Sequence, residues 1–490
     1  MIGVRLRELL GAAGGLHAQL VEARGNSCAE QIDIGAVVHN TADVVDGALY
    51  CCVAGSRVDG HDLAASAVAA GAVALLVDHR LRLPAPVPQL VVPDVRGAMG
   101  PLASAFWGHP SRQLTVVGVT GTAGKTTVTH LLCSVLRASG RPCSVIGTLS
   151  GAHTTPEATE LQALLAGVRD TGQAAAAVEV SSHGLEMHRV DGTRFDVAVF
   201  TNLSRDHLDF HHTMDSYFDA KARLFGPAFT ERAVVSRDDR WGRALAERVS
   251  LNGLELHTYS VDDARHVVVS SDGARFVWRN TPIHLVLTGR FNVANAVAAA
   301  TAADAIGVEP DAIAAGLSGA EAVPGRFELV DEGQPFCVLV DYSHKPDALE
   351  HALLAGRDLA GRGGGMRGAS GRLTVVFGCG GDKDAGKRPL MGAVAGRLAD
   401  RVVVTSDNPR SEDPLDIIND IVSGMPPDAE LRVESDRRRA IALAMREARP
   451  GDVVLIAGKG HEVTQTIGDR VVPFDDRSVA RTALAEAGWR

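Results

Sequence analysis

A glycine-rich turn between an apolar strand and a helix constrains the fold of this chain more than any other segment. Residues 116–127 read VVGVTGTAGKTT. Gly121 and Gly124 can adopt backbone angles that a Cβ atom forbids, so several N–H groups can point at one anion, with the positive end of the following helix behind them. The segment therefore predicts a phosphate-binding turn in a strand-turn-helix unit of a parallel α/β domain.

The residues beside this turn indicate that the phosphates belong to a nucleotide bound with Mg²⁺. We expect Lys125 to contact the β and γ phosphates and Thr126 to offer its hydroxyl to Mg²⁺. The general P-loop pattern is incomplete, because Val119 stands five positions before Gly124, where glycine is usual. The core G-x-x-G-K-T-T remains. The predicted nucleotide-binding residues of the turn are Gly121, Thr122, Gly124, Lys125, Thr126 and Thr127.

Length and charge exclude several classes of protein. The 490 residues, 46% hydrophobic and 22% charged, are globular in composition and long enough for about three ordinary domains. The net charge of -10 argues against a nucleic-acid-binding protein, because nucleic-acid binders carry basic surfaces. We expect local lysines and arginines to bind small anionic substrates, and we expect the chain to be a monomer.

Cysteine usage and hydropathy indicate a cytoplasmic protein. The seven cysteines are odd in number and lack paired metal-ligand spacing, so we expect buried thiols in a reduced compartment. The first residues predict an amphipathic helix rather than a signal peptide. No apolar run reaches the roughly 18 residues that a membrane span needs.

The order of apolar strands and helices predicts three α/β domains, covering residues 1–110, 111–325 and 326–490. The central domain is predicted to hold a parallel P-loop sheet, and the third domain a second parallel series. In both domains, near-continuous apolar strands alternate with helices, a pattern that is typical of buried parallel sheets. The predicted strands are 48–54, 72–77 and 90–92 in the first domain, 114–119, 174–180, 197–203 and 233–236 in the second, and 336–342, 373–378, 401–405 and 452–457 in the third.

Ionisable residues follow two of the central strands. Glu179 ends one strand, and His207 lies in the polar segment after the next. Open parallel sheets bind ligands at the carboxyl ends of their strands, so Glu179 is a candidate Mg²⁺ ligand there. His207 alone is more typical of a hydrogen-bonded loop histidine, but beside Glu179 and the glycine turn we interpret it as a metal ligand.

Seven motifs together resemble the Mur ligase family of ATP-dependent amide ligases, in their order and approximate spacing. They are GTAGKTT, EVSSHGLEMHRV, TNLSRDHLDFHHTMDSYFDAK, GRFNVANA, VPGRFE, DYSHKPDAL and GKGHE. The resemblance covers essentially the whole chain. It implies a small UDP-binding domain, a central ATPase and a C-terminal Rossmann-like domain, and it is greatest for members that act on UDP-N-acetylmuramoyl-L-alanyl-D-glutamate in peptidoglycan biosynthesis.

The resemblance also implies roles for residues around the nucleotide. The implied catalytic residues are Lys125, Glu179, His207, Lys221 and Arg326, and the implied metal ligands are Thr126, Glu179, His207 and a Lys221 that is carbamylated by CO₂. The implied adenine and phosphate contacts are Asn292, Asn295, Arg326 and Asp341. Without the resemblance, Lys221 would be read as part of a solvated helix face and the two asparagines as capping or packing residues.

The substrate residues are likewise implied by the resemblance. The muramoyl-dipeptide contacts are Thr154, Thr155, Ser181 and Arg189, and the amino-acid pocket comprises Arg388, Asp407, Asn408, Arg410, Gly458 and Glu462. The run Asp407 to Arg410, DNPR, is the signature of meso-diaminopimelate rather than L-lysine. Some positions depart from the family. His39-Asn40-Thr41 replaces the usual Asp-Ser-Arg at uracil, and we expect Asn40 to hydrogen-bond the pyrimidine. Ser236, Ser343 and Lys345 also replace more usual residues.

The implied reaction is addition of meso-diaminopimelate to the γ-carboxylate of D-glutamate through an acyl phosphate, with ATP and Mg²⁺. Three alternatives remain at this point. An L-lysine-adding ligase would differ chiefly at Arg410, and a folylpolyglutamate-synthetase-like ligase would lack the first 110 residues and DNPR. A P-loop regulatory protein without ligase activity would not need Glu179, His207 and Lys221 together.

Overall fold

A computed structural model describes residues 3–14, 19–21, 31–55, 58–151, 153–362 and 371–489. The chain divides into two compact units, which we describe separately. The first unit comprises Met1–Thr258 and Thr301–Val308, and the second comprises Tyr259–Ala300 and Glu309–Arg490. The three predicted domain boundaries stay a prediction.

The first unit contains two sheets flanked by helices and a short strand pair. Its strands are β1 (Val4–Arg5), β2 (Gln19–Val21), β3 (Asp33–Ile34), β4 (Ala36–Val38), β5 (Ala48–Cys51), β6 (Ala72–Val77), β7 (Gln89–Val91), β8 (Thr115–Thr120), β9 (Cys143–Ile146), β10 (Ala175–Glu179), β11 (Val197–Phe200), β12 (Arg232–Ser236) and β13 (Glu255–Tyr259). Its helices are α1 (Leu6–Ala12), α2 (Ala64–Ala69), α3 (Val95–Phe106), α4 (Lys125–Ala138), α5 (Ala158–Asp170), α6 (Ser182–Glu186), α7 (Leu208–His211), α8 (Met214–Ala222) and α9 (Arg240–Leu251).

The second unit repeats the α/β pattern after an antiparallel segment. Its strands are β14 (Arg265–Ser270), β15 (Gly273–Trp278), β16 (Thr281–Leu285), β17 (Glu328–Leu329), β18 (Cys337–Asp341), β19 (Leu373–Phe377), β20 (Arg401–Val404), β21 (Leu431–Val433), β22 (Val453–Ala457), β23 (Thr464–Ile467) and β24 (Arg470–Pro473). The helices are α10 (Arg290–Ala305), whose last turn belongs to the first unit, α11 (Pro310–Ser318), α12 (Pro346–Arg362), α13 (Lys387–Leu398), α14 (Pro414–Ser423), α15 (Arg437–Glu447) and α16 (Asp476–Glu486).

The N-terminal sheet has the strand order β2-β7-β6-β5-β4. Strands β4 to β7 are parallel, whereas β2 runs antiparallel to β7. All four residues of β5 are buried, because helices cover both faces of such a sheet. The three strands predicted for this domain are confirmed to within a few residues.

The central sheet has the order β13-β12-β11-β8-β10-β9. Strand β8 pairs in parallel with β10 on one side and with β11 on the other, so the chain changes direction across the sheet at β8. The carboxyl ends of these three strands are therefore adjacent, and the register places Glu179 opposite Val119 and Phe200 opposite Thr120. Ligands bind at such switch points in open α/β sheets.

The second unit holds a six-stranded sheet of order β17-β18-β22-β19-β20-β21. Only β17 is antiparallel to its neighbour, and the other pairings in this sheet are parallel. Asp341, Phe377, Val404 and Ala457 therefore end their strands at the same edge of the sheet. The sequence did not predict the antiparallel sheet β14-β15-β16 or the hairpin β23-β24.

The prediction that the cysteines are all thiols was wrong for one pair. Cys133 near the end of α4 and Cys143 at the start of β9 form a disulfide, with Cα atoms 5.2 Å apart. The chain reverses between these elements and brings the two residues together, which sequence separation alone does not reveal. Cys51, Cys52, Cys337 and Cys379 are free, and Cys28 lies outside the described residues.

Long apolar helices of the kind that cross a bilayer do not occur among the residues that the structure describes.

Candidate active site

The glycine turn links β8 to α4 as the sequence predicted. Gly121 has φ +149° and Gly124 has φ +89°, the positive values that favour glycine. Gly124 is the N-cap of α4, so the helix begins at Lys125 with its first N–H groups facing the turn. The Lys125 Nζ donates to the carbonyl oxygens of Gly121 at 2.9 Å and Thr122 at 3.1 Å. The lysine thus folds back over the loop that would hold the phosphates.

The segment after β11 braces this turn. The Asn202 side chain accepts from the Ala123 N–H at 3.0 Å and donates to the Ala123 carbonyl at 3.1 Å. The Thr201 hydroxyl donates to the same carbonyl at 2.7 Å, and the Thr122 N–H donates to the Asn202 carbonyl at 2.9 Å. The loop conformation is therefore fixed by two strands, β8 and β11, rather than by its glycines alone.

Glu179 is a buried carboxylate that is surrounded by donors. It is 1% exposed at the end of β10. Its Oε2 accepts from the Thr126 hydroxyl at 2.9 Å and from the Thr148 hydroxyl at 3.1 Å, and its Oε1 accepts from the Thr148 N–H at 2.8 Å. The pairing of Thr126 with Glu179 brings together two of the predicted metal ligands.

His207 stands among aromatic and imidazole rings. It has a left-handed φ of 52°, and its Nε2 lies 3.3 Å from Asp206 Oδ2. The His183 ring lies 4.7 Å from the His207 ring and 5.6 Å from the His211 ring. Burial, followed by the charges of His183 and Lys221, lowers the pKa of His211, so this imidazole favours the neutral form.

Lys221 is buried in α8, only 1% exposed, so the reading as a solvated helix face does not apply. Its Nζ donates to the Gly121 carbonyl at 2.9 Å and lies 4.7 Å from the centre of the Tyr217 ring. Burial and the Asp206 charge raise the pKa of Tyr217, so the ring stays a neutral phenol. The amine end of Lys221 thus reaches the same glycine turn as Lys125.

Three predicted dipeptide contacts form one hydrogen-bonded group. The Thr155 hydroxyl donates to the Glu179 carbonyl at 2.9 Å and lies 3.0 Å from the Ser181 hydroxyl. Arg189 donates to the Thr155 carbonyl at 3.1 Å and pairs with Glu157 at 2.8 Å. The Arg189 Nε is buried and has no hydrogen-bond partner among the residues that the structure describes.

Two further predicted substrate contacts lie elsewhere in the first unit. The Thr154 hydroxyl lies 3.1 Å from that of Thr148, which contacts Glu179. The exposed Asn40 caps a short 3₁₀ helix, Thr41–Asp43, by accepting from the Ala42 N–H at 3.1 Å. Its neighbour His39 contacts the Thr159 hydroxyl at 2.8 Å.

The other predicted nucleotide residues lie in the second unit. Asn292 donates to the Thr288 carbonyl at 2.8 Å and accepts from Asn295 at 3.1 Å. The Arg326 guanidinium lies 4.6 Å from the centre of the Tyr342 ring.

Asp341 ends β18 as a partly exposed acid. Its Oδ2 accepts from the Phe327 N–H at 2.8 Å, and its Oδ1 accepts from the N–H of Ser343 at 2.9 Å and from the Ser343 hydroxyl. Burial raises the pKa of Asp341, against the opposing effects of the Ser343 hydrogen bond and the Arg326 charge.

The DNPR segment follows β20 and is held by a network of charges. The Asn408 side chain donates to Glu462 at 2.9 Å and accepts from Lys459 at 3.1 Å, and Lys459 also contacts Glu462 at 3.0 Å. Burial raises the pKa of Asp407, although Arg437 and Lys459 oppose the shift. Gly458 has φ +117°, and a Cβ there would lie 2.7 Å from Asp407 Oδ2, so glycine is needed for this approach.

The two predicted pocket arginines are held differently. Arg388 is buried and bridges Glu412 at 2.8 Å and Asp420 at 3.0 Å. Arg410 has φ 53° and donates from its side chain to the Gly381 carbonyl. Among the described residues, the Arg410 guanidinium makes no ion pair of the kind that holds Arg388.

Sequence reasoning missed several residues that support these sites. Thr148 lies on Glu179, Asn202 braces the glycine turn, and Lys459 lies inside the GKGHE motif without having been singled out. The buried pair of Arg437 and Asp476, 2.7 Å apart, was also missed. Asn202 and Lys459 lie in motifs of the family resemblance, so the sequence carried a signal for both. Asp476 lies 39 residues from Arg437, and the sequence carried no signal for this pair.

Comparisons with known proteins agree with this architecture. Three family models match: "Mur ligase family, catalytic domain" at residues 33–107, "Mur ligase middle domain" at 119–303, and "Mur ligase, glutamate ligase domain" at 325–460. The chain is 44% identical over 508 aligned residues to the UDP-N-acetylmuramoyl-L-alanyl-D-glutamate–2,6-diaminopimelate ligase of Gloeobacter violaceus, with 99% of both chains covered.

Solved structures give the same picture. A structure of a UDP-N-acetylmuramoyl-L-alanyl-D-glutamate–2,6-diaminopimelate ligase matches with a TM-score of 0.69 and 31% identity, covering 99% of this chain and all of that one. The MurF ligase of Thermotoga maritima, solved with ADP, has a TM-score of 0.62 over 92% of this chain and 96% of its own, and at 20% identity it shows the fold alone. The three-domain α/β architecture predicted from sequence is confirmed. The chain belongs to the Mur ligase family.

Proposed function

We propose that this chain is an ATP-dependent ligase that joins meso-diaminopimelate to the D-glutamate γ-carboxylate of UDP-N-acetylmuramoyl-L-alanyl-D-glutamate, a step in peptidoglycan biosynthesis. The observation that carries the proposal is the meeting of Thr126 and Glu179 at 2.9 Å beside a glycine turn that Lys125 and Lys221 both contact. The identity of the substrates is taken from the names of the related ligases.

The donor set at the turn fits Mg²⁺. A hydroxyl and a carboxylate are hard oxygen ligands, and the Thr126 Oγ1 and Glu179 Oε2 atoms already lie at hydrogen-bond distance. We propose Thr126, Glu179, His207 and Lys221 as the residues that hold metal. Bound Mg²⁺ would neutralise phosphate charge around the transferred group.

Lys221 fits this set when its amine is carbamylated by CO₂, because the carbamate replaces a cation with oxygen ligands. The Nζ atom is buried at the turn, 2.9 Å from the Gly121 carbonyl. Carbamylation of Lys221 is therefore part of the proposal.

The protein would promote acyl transfer mainly by placing charge. A free carboxylate reacts slowly with an amine because its leaving group would be oxide, so the γ-carboxylate first attacks the γ-phosphorus of ATP and ADP leaves. The amine then attacks the acyl phosphate, and phosphate leaves. Lys125 would move from the Gly121 and Thr122 carbonyls to the phosphate oxygens, where it stabilises the developing charge. We assign the remaining nucleotide contacts to Asn292, Asn295, Arg326 and Asp341.

The dipeptide contacts would be Thr154, Thr155, Ser181 and Arg189, because the last three already form one network below Glu179. The buried Arg189 Nε still offers a donor for an anionic substrate. Asn40 would contact uracil.

The amino-acid pocket would comprise Arg388, Asp407, Asn408, Arg410, Gly458 and Glu462. Meso-diaminopimelate differs from lysine by a second amino-acid end with its own carboxylate. The planar Arg410 guanidinium can bind that carboxylate through two parallel hydrogen bonds. Because Arg388 already bridges Glu412 and Asp420, we propose that Arg388 maintains the shape of the pocket.

Phosphate release tests the function. The protein is incubated with ATP, Mg²⁺, the UDP-muramoyl-dipeptide and, separately, meso-diaminopimelate, L-lysine or L-glutamate. We expect release to require both the dipeptide and diaminopimelate. Release with lysine alone would identify the lysine-adding alternative, and release with a folate and glutamate would identify the folylpolyglutamate-synthetase-like one. We further propose that the protein acts as a cytoplasmic monomer, which size-exclusion chromatography with light scattering and cell fractionation would test.

A further inference from the structure

A second cluster of metal-ligating side chains lies on the N-terminal sheet. Asp78 and His79 follow β6 directly, and His61 lies in the turn between β5 and α2. Because β5 and β6 are parallel neighbours, these segments leave the sheet at the same edge. One ligand atom from each residue lies within 4.8 Å of the other two, and no other group of three such residues meets this criterion among the described residues.

The His61 ring is oriented by two carboxylates. Its Nδ1 lies 2.7 Å from Asp59 Oδ1, which also accepts from the His61 backbone N–H at 2.9 Å. Its Nε2 accepts from the Asp78 N–H at 3.4 Å and lies 3.2 Å from Asp78 Oδ1. The Asp59 contact places the ring proton on Nδ1 and leaves the Nε2 lone pair facing Asp78. A carboxylate behind a histidine orients metal-ligating imidazoles in the same way.

His79 completes the cluster from the solvent side. Its ring stacks on that of His61 with centroids 4.9 Å apart, and its Nδ1 contacts Asp78 Oδ1. The His61 side chain is 5% exposed, whereas those of Asp78 and His79 are 45% and 63% exposed. The cluster therefore combines one fixed ligand with two that can turn toward an ion entering from solvent.

The local charge favours a cation. Asp59 and Asp78 place two carboxylates around one buried imidazole. Burial, with the charges of Asp59 and Asp78, raises the pKa of the nearby Cys52 thiol to about 12. The donors that lie within reach of one another at this edge are two imidazole nitrogens and one carboxylate oxygen.

We propose that His61 Nε2, Asp78 Oδ1 and His79 Nδ1 bind one divalent transition-metal ion of the Zn²⁺ type, with water as the fourth ligand. Two nitrogens and one oxygen suit Zn²⁺ or Co²⁺, whereas Mg²⁺ prefers six oxygens. Ligands about 2.0–2.1 Å from a tetrahedral ion lie roughly 3.4 Å apart, so small side-chain rotations suffice. The ion would tie the end of β6 to the turn after β5.

The test is a Co²⁺ titration of the metal-free full-length protein in excess Mg²⁺, followed by the visible absorption of tetrahedral Co²⁺. We expect His79→Gln to remove one bound equivalent. His257→Gln is the matched control, because His257 also pairs with a carboxylate, Glu255 at 2.9 Å, outside any three-ligand cluster in the described chain. This control should bind as many ions as the unmutated protein.

A second variant tests the orientation of His61 without removing a ligand. Asp59→Asn should retain the equivalent but weaken it about 10- to 100-fold, since the carboxylate behind the imidazole is lost. His79 is largely exposed, so its variant should fold, which melting of the metal-free proteins will check. Equal Co²⁺ stoichiometry and affinity in the unmutated and His79→Gln proteins would overturn the proposal.

Discussion

The two large parallel sheets collect polar side chains at their carboxyl ends in opposite ways. At the central sheet, Glu179 is surrounded by neutral donors, and Lys125 and Lys221 donate to backbone carbonyls. At the C-terminal sheet, charges are paired with charges: Lys459 with Glu462, and Arg388 with Glu412 and Asp420.

The difference separates two kinds of site. Hydrogen bonds from hydroxyls, N–H groups and lysines to carbonyls can be exchanged for contacts to phosphate and metal at little cost. An ion pair with one buried partner, such as Arg388 or Lys459, cannot be exchanged so easily, because removing the other partner leaves an unpaired charge in a low dielectric. Under the proposed function, the carboxyl end of the central sheet, termed the nucleotide end, would change partners during the reaction. The carboxyl end of the C-terminal sheet, termed the DNPR end, would keep its shape and select a ligand.

The largest effect should come from removing the exchangeable groups. Lys125→Ala and Glu179→Gln should each lower phosphate release by about 10³-fold or more, since both act on charge that develops around the nucleotide. Circular dichroism should stay unchanged. The control is Glu247→Gln, which alters an exposed carboxylate on α9 in the same unit. Turnover near the unmutated rate in either variant would contradict the role proposed for the exchangeable groups at the central sheet.

Variants of Lys221 test whether this residue acts through the oxygen ligands of its carbamate rather than through a positive charge. Lys221→Ala should lose about 10²- to 10³-fold in phosphate release and regain part of it with a short carboxylate such as acetate, because one oxygen ligand is missing. Lys221→Arg keeps the positive charge and should show no rescue. Full activity of Lys221→Ala would contradict the carbamate.

Arg410 tests selection at the DNPR end. Arg410→Ala should lower kcat/KM for meso-diaminopimelate about a hundredfold, because an unpaired desolvated carboxylate costs roughly 3 kcal/mol. The KM for ATP should change little. Arg410→Lys should lose nearly as much, since one ammonium cannot make two parallel hydrogen bonds. Arg439→Ala, an exposed arginine on α15, is the control. Efficient ligation of L-lysine by the unmutated protein would exclude this role.

The sequence predicted the nucleotide end in more detail than the DNPR end. Gly121, Gly124, Lys125 and Thr126 are contiguous, so one strand-turn-helix pattern positions them, and the apolar strands around them were confirmed to within a few residues. Glu179 could be placed beside them because it ends the neighbouring strand. Local pattern and the rules of parallel sheets were sufficient here.

The supporting contacts could not be predicted in this way. Thr148, which donates a hydrogen bond to Glu179, lies in a loop with no special composition. Asp476, which pairs with Arg437, lies in a helix 39 residues further along the chain. The Cys133 to Cys143 disulfide depends on how one helix and one strand reverse direction. These features arise from tertiary packing, which leaves no periodic signal in a single sequence.

The smallest effect concerns proton binding beside the C-terminal sheet. Burial, with the charges of Lys345 and Lys387, lowers the pKa of His344 to about 3, and its Nδ1 lies 2.8 Å from the Tyr342 carbonyl. An unfolded histidine titrates near about 6.5. The folded state thus stays neutral at pH 5 while the unfolded state takes up a proton, so stability is fully present above about pH 6.5 and is lost as the pH falls toward 3.

Amide hydrogen exchange of β18 measures this effect. After correction for the intrinsic exchange rate, protection should fall about 30-fold more between pH 7 and pH 5 in the unmutated protein than in His344→Gln, equivalent to about 2 kcal/mol. The His257→Gln variant, changed in an exposed pair with Glu255, should follow the unmutated protein. An identical pH dependence in the His344→Gln and unmutated proteins would mean that the C-terminal sheet tolerates a protonated His344. The contrast between the central and C-terminal sheets would then rest on their ion pairs alone.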